Sequence, residues 1–65
     1  MGKKFVIFKH FNTYKITSKY NWDEGIMNLN AVTTITNVSN YEEAKKAVLN
    51  WLKIDEEQIV NETGE

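Results

Sequence analysis

Phe5-Val6-Ile7-Phe8-Lys9-His10-Phe11, "FVIFKHF", is the most apolar run of the chain, and its reading decides the architecture. Its β-branched and aromatic residues predict a strand from Lys3 to about Lys9. Successive side chains of a strand point to opposite faces, so Phe5 and Ile7 share one side while Val6 and Phe8 share the other. Both sides are apolar. Such a strand needs cover on two faces, or it leaves one of them as an interaction surface.

The residues after it set its first partner. His10-Phe11-Asn12-Thr13 predicts a turn, because Asn tolerates the left-handed backbone of a tight hairpin. Residues 14–20, "YKITSKY", then alternate cleanly, with Tyr14, Ile16, Ser18 and Tyr20 on one side and Lys15, Thr17 and Lys19 on the other. A loop of residues 10–13 sets Lys9 opposite Tyr14, Ile7 opposite Ile16 and Phe5 opposite Ser18, which joins the apolar sides. A shift of one residue would instead oppose Lys9 and Lys15, two like charges. Asn21-Trp22-Asp23-Glu24-Gly25 predicts a second turn, with Gly25 at positive φ and Asp23 bonding its own backbone. Residues 29–38, "LNAVTTITNV", predict a third strand whose irregular alternation allows a bulge or a split.

Beyond Val38 the period changes from two to 3.6. Ser39 with Glu42, or Asn40 with Glu43, makes a capping box that starts a helix near residue 40 and places acid at its positive end. Tyr41, Ala44, Ala47, Val48, Trp51 and Leu52 form its apolar stripe, which puts Trp51 in the core, while Glu42, Glu43, Lys46 and Asn50 face water. Asp55 is a cap for a single further turn, Ile59-Val60 a short fourth strand or a docked tail, and residues 61–65 are expected to fray. The sum is an α+β fold: a three-stranded antiparallel β-meander followed by one C-terminal α-helix packed on one sheet face, in one domain spanning residues 1–65.

A 65-residue chain buries only about 60% of the surface it exposes when unfolded. It has no Cys, so neither a disulfide nor a thiolate metal site adds stability. Packing and assembly must supply it. No apolar run approaches the length of a membrane span, and Lys3-Lys4 does not lead into a signal-peptide core, so a cytoplasmic protein without a membrane partner is expected. The net charge of −1 hides a dipolar chain: residues 1–22 hold five Lys and no acid, and residues 53–65 hold five acids against Lys53. All eight basic residues are Lys, and Asn occurs eight times, a bias expected of an AT-rich coding source.

The chemistry of catalysis is missing from this pattern. His10 alone cannot build a multi-His metal site, Asp55-Glu56-Glu57 lacks the spacing and Gly of a calcium loop, and Gly2, Gly25 and Gly64 are isolated, so no phosphate loop or nucleophile elbow exists. The expectation is a non-enzymatic domain with no metal and no cofactor. A single helix covers the face with Phe5, Ile7, Ile16 and Tyr20, leaving Val6 and Phe8 either exposed or covered by Ile54, Ile59 and Val60 folding back. Trp22, beside Tyr20, either lies on the edge of the core or stands out as a binding anchor.

These readings name Val6, Phe8, His10, Phe11, Tyr20 and Trp22 as candidate protein-binding residues. The leading expectation is a small protein-binding module, of the kind a phage or mobile element uses as a regulator or inhibitor, acting by steric occupation of a partner's surface or by edge-strand addition. Homodimerisation through the Val6 and Phe8 face is compatible with it. The alternative partner is nucleic acid, held by the Lys-bearing first hairpin with Phe8, Phe11 and Tyr14 stacking on bases. Three strands followed by a helix resembles, in element order, the sheet-reading DNA-binding domains of some mobile-element integrases. The absence of Arg and the pI of about 5.8 weigh against that alternative.

Overall fold

The computed structural model describes residues 3–65. Strand β1 (Phe5–His10) and strand β2 (Thr13–Ser18) form an antiparallel hairpin in the expected register, with Ile7 opposite Ile16 and Lys9 opposite Tyr14. The turn is tighter than residues 10–13. It consists of Phe11 and Asn12 alone, both left-handed at φ 50° and 65°, as a two-residue turn that follows the strands' twist requires.

The region after β2 departs from expectation. The strand ends at Ser18, not Tyr20, and residues 19–24 form helix α1 (Lys19–Glu24) where a turn was predicted. Ser18 starts it by accepting a bond from the Asn21 amide (3.1 Å), and Gly25 ends it at φ 75°. Two side-chain choices compete here: the alternation of β2 continues through Tyr20, but the Ser18 cap and the Lys19–Asp23 pair (2.8 Å) stabilise a helical turn. The predicted third strand shrinks to β3 (Thr33–Ile35), because Asn28 closes a turn in which its side chain accepts from the amides of Asn30 and Ala31, each at 3.0 Å.

Helix α2 (Tyr41–Leu52) begins at Asn40, whose Oδ1 accepts from the Glu43 amide (2.9 Å) while the Glu43 carboxylate accepts from the Ser39 amide (2.7 Å). A short 3-10 turn (Glu56–Gln58) follows, entered through Asp55, and strand β4 (Ile59–Glu62) completes the sheet. The antiparallel meander is therefore part of a four-stranded mixed sheet of order β3-β2-β1-β4, in which β4 runs parallel to β1. The chain can reach that position because α2 and its following turn form the crossover that a parallel neighbour demands. The α+β class holds; the strand number and topology differ.

Helix α2 packs on the face with Ile7, Tyr14, Ile16 and Ile35, burying Ala44 and Val48, with Phe5, Leu52, Ile54 and Ile59 at the margin. The stripe expected of α2 is narrower in fact. Trp51 lies 58% exposed at its edge, not in the core.

The C-terminal residues are tied down. The Asn61 side chain accepts from the Thr63 amide (2.9 Å) and hydroxyl (2.7 Å), turning the chain so that Glu65 reaches the start of α2. There its carboxylate accepts from the Tyr14 hydroxyl and from the Tyr41 amide (2.9 Å), with Lys9 at 3.4 Å. The Tyr14 bond, more than any other contact, holds the Glu65 carboxyl below the ordinary value of 4.5, and it raises Tyr14 in turn. A depressed carboxyl stabilises the fold above its unfolded pKa, and that contribution is lost as pH falls through the folded value. Glu65→Gln should accordingly leave a flatter stability profile below pH 4.5 than the parent has, measured as urea midpoints across the acid range. Identical acid profiles would dismiss the contact.

Candidate functional site

The second face of β1 is covered by the chain's middle. Val6 is 0% and Phe8 8% exposed, so both are core residues and the open sheet face expected around them does not exist. The cover comes from α1 and residues 26–32; of the C-terminal residues expected to fold back, Ile54 and Ile59 pack on the α2 side, while Val60 flanks Val6 in the sheet without lying over it. Trp22 of α1 lies half-buried with its ring 5.0 Å from that of Phe8, at an angle of 46°. Thr17, buried on the same face, donates its hydroxyl to the Ala31 carbonyl (2.7 Å) and so pins the loop to the sheet. Every polar side-chain atom buried among the described residues has a partner, as a stable second layer requires.

The loop covers this face incompletely. Between it and the hairpin end of the sheet a cleft of about 330 Å³ opens, with Phe8, Val32 and Met27 as apolar lining and His10, Lys15 and Thr34 at its polar side. Leu29 also borders it and is 96% exposed. The Lys15 ammonium is aimed by a bond to the Thr34 hydroxyl (3.2 Å). His10 connects the cleft to the hairpin tip, since its ring lies 4.4 Å from that of Phe11, which is 87% exposed.

Of the six residues the sequence singled out, Phe8, His10 and Phe11 are brought to this surface. Trp22 stands behind it as support for Phe8, Tyr20 is exposed on α1, and Val6 is interior. Sequence reasoning missed Met27, which fell between the predicted turn and the third strand, and Leu29, which was assigned to that strand. The available signal was the interruption of the apolar residues Met27 and Leu29 by the turn-forming Asn28 and Asn30, which argues against a continuous strand there.

The cationic hairpin is partly neutralised within the molecule. Lys9 pairs with Glu65 and Lys19 with Asp23. Lys45, on α2, sits between Glu56 (3.0 Å) and Glu42 (3.4 Å). No group of three His, Asp or Glu residues among those described gathers as metal ligands, and no helix among them is long and apolar enough to cross a membrane.

The fold and this cleft define a small mixed-sheet α+β domain with an apolar surface site. Set against known protein families, curated proteins and solved structures, the chain matches none of them.

Proposed function

We propose that the protein is a non-enzymatic protein-binding module whose contact surface is the hairpin tip and the adjoining cleft: Phe11, His10, Met27, Leu29 and Lys15. One observation carries the reading. Phe11 is held at φ 50° with its ring almost wholly in solvent. A bulky residue in that conformation costs about 1 kcal/mol relative to Gly or Asn, and here no burial offsets the cost. Leu29, at the border of the cleft, is likewise exposed, and large apolar groups around a concave patch are the usual anchors of a protein interface. The partner's contribution would be an apolar side chain entering the cleft, with an acidic group facing Lys15 and His10. Action by steric occupation of a regulatory or enzymatic partner, as a phage or mobile-element inhibitor acts, is consistent with a domain this small. Nucleic acid is the weaker alternative, because ion pairs with Glu65 and Asp23 engage two of the five amino-terminal Lys residues and reduce the counterion-release contribution.

The test separates binding from folding. Phe11→Asn should raise stability by about 0.5–1 kcal/mol in urea unfolding, since Asn accepts the left-handed turn at lower cost. The same change should abolish capture of peptides selected from a random displayed library on the parent protein. Leu29→Asp should remove that capture with an unchanged melting temperature. Peptides that bind parent and both variants alike would place the interface elsewhere.

A further inference from the structure

The sheet has two edges, and they are guarded unequally. Strand β4 is bracketed by Glu57 and Glu62, and charged residues are the common protection of an exposed edge. Strand β3 has no such guard. It is Thr33-Thr34-Ile35, three β-branched residues of high strand propensity, with no Pro and no bulge. The whole segment from Ile26 to Tyr41 contains no Asp, Glu, Lys, Arg or His. Above the β3 edge, on the α2 side, a groove of about 340 Å³ runs between Ile35 and Thr36 on the sheet and Ala47, Val48 and Trp51 on the helix. Trp51 is the largest of these groups and is more than half exposed, though it belongs to the helix's apolar stripe.

We propose that a second copy of this chain occupies that edge, β3 pairing antiparallel with β3 about a twofold axis centred on Thr34. Charge selects this occupant over the free β4 edge. Two neutral β3 edges meet without like-charge repulsion, whereas β3 on β4 would bring Glu62 against a segment with no cation and would build an open-ended array, not a closed pair. The register follows from the symmetry. Thr34 faces Thr34 of the second copy, a favourable cross-strand pair, and Ile35 faces Thr33 under the helices. A twofold axis perpendicular to the sheet keeps both α2 helices on one face, so both Trp51 rings converge over the seam and fill the two grooves. It also puts the two Leu29 clefts on the opposite face, side by side, giving one bivalent surface. The sheet becomes a continuous eight-stranded one with only the guarded β4 edges free.

Sedimentation velocity decides this, run on the full chain from about 10 µM to about 500 µM, the range suited to a short edge pairing. A monomer–dimer equilibrium is expected within it. Thr34→Glu keeps a partner for Lys15 within its own copy but opposes two carboxylates across the axis, and should weaken dimerisation at least about tenfold. Trp51→Ala, on α2 and outside the β2–β3 hydrogen-bond ladder, provides a second variant should Thr34→Glu fail to fold, and should also weaken it. In a Trp22→Phe background the remaining Trp51 emission should shift to shorter wavelength as concentration rises. A parent that stays monomeric throughout, a dimer unmoved by both variants, or species that grow steadily in size would each overturn the proposal. The last outcome would indicate edge addition onto β4.

Discussion

Val6→Lys should abolish folding at 25 °C. Val6 is fully enclosed between the sheet and its α1-side cover, with Thr17 opposite it on β2 and Val60 beside it on β4. A Lys there must bury an ammonium with no carboxylate partner or force the cover off the sheet, and either costs several kcal/mol. A 65-residue domain has only about 3–10 kcal/mol in total. Far-UV circular dichroism would report the loss directly, and Leu29→Lys, at a site open to water, is the control expected to melt within a degree or two of the parent. A folded Val6→Lys protein would mean that α1 and residues 26–32 do not form a true second layer. Ile7→Ala, on the opposite face and also fully buried, should cost about 2–4 kcal/mol, so neither face of β1 is dispensable.

Of the two tryptophans, Trp22 should behave as a core-edge residue and Trp51, expected in the core from its helical spacing, as a surface one. Trp22→Ala removes the ring that closes over Phe8 and opens a void above the second core, with an expected loss of about 2–4 kcal/mol in urea unfolding. Trp51→Ala removes a largely solvated ring and should cost about 1 kcal/mol or less in the monomer. An aqueous quencher added to the single-tryptophan proteins gives a second reading. Trp51 should be quenched readily at low protein concentration and Trp22 poorly. Equal stability losses for both substitutions would remove the assignment of Trp22 as the lid of the Phe8 side.

Leu29, Phe11 and Thr34 lie where the rest of the fold leaves the surface uncovered. A second layer made from a six-residue helix and a loop is thinner than α2. It can seal Val6 and Phe8, but it ends before the hairpin tip, which is why the cleft lies there.

Much of this was legible in the chain. The β1–β2 register follows from period-two alternation and from one electrostatic exclusion, Lys9 against Lys15, and both are local enough to survive folding. The start of α2 follows from Asn40 and Glu43, whose bonds need no tertiary partner. The apolar second face of β1 correctly announced that something must cover it. What that cover was lay beyond local pattern. Lys19 and Tyr20 fit the end of a strand as well as the start of a helix, and the choice rests on Ser18 bonding to Asn21 and on Trp22 reaching Phe8. The parallel pairing of β4 with β1, the return of Glu65 to Tyr14 across 51 positions of sequence, and the exposure of Trp51 depend likewise on where distant segments meet. Hydrophobic periodicity records that a side chain is apolar and on which side it lies; whether a neighbour reaches it depends on chain connectivity and on the finite width of a four-stranded sheet, and no residue carries that information alone.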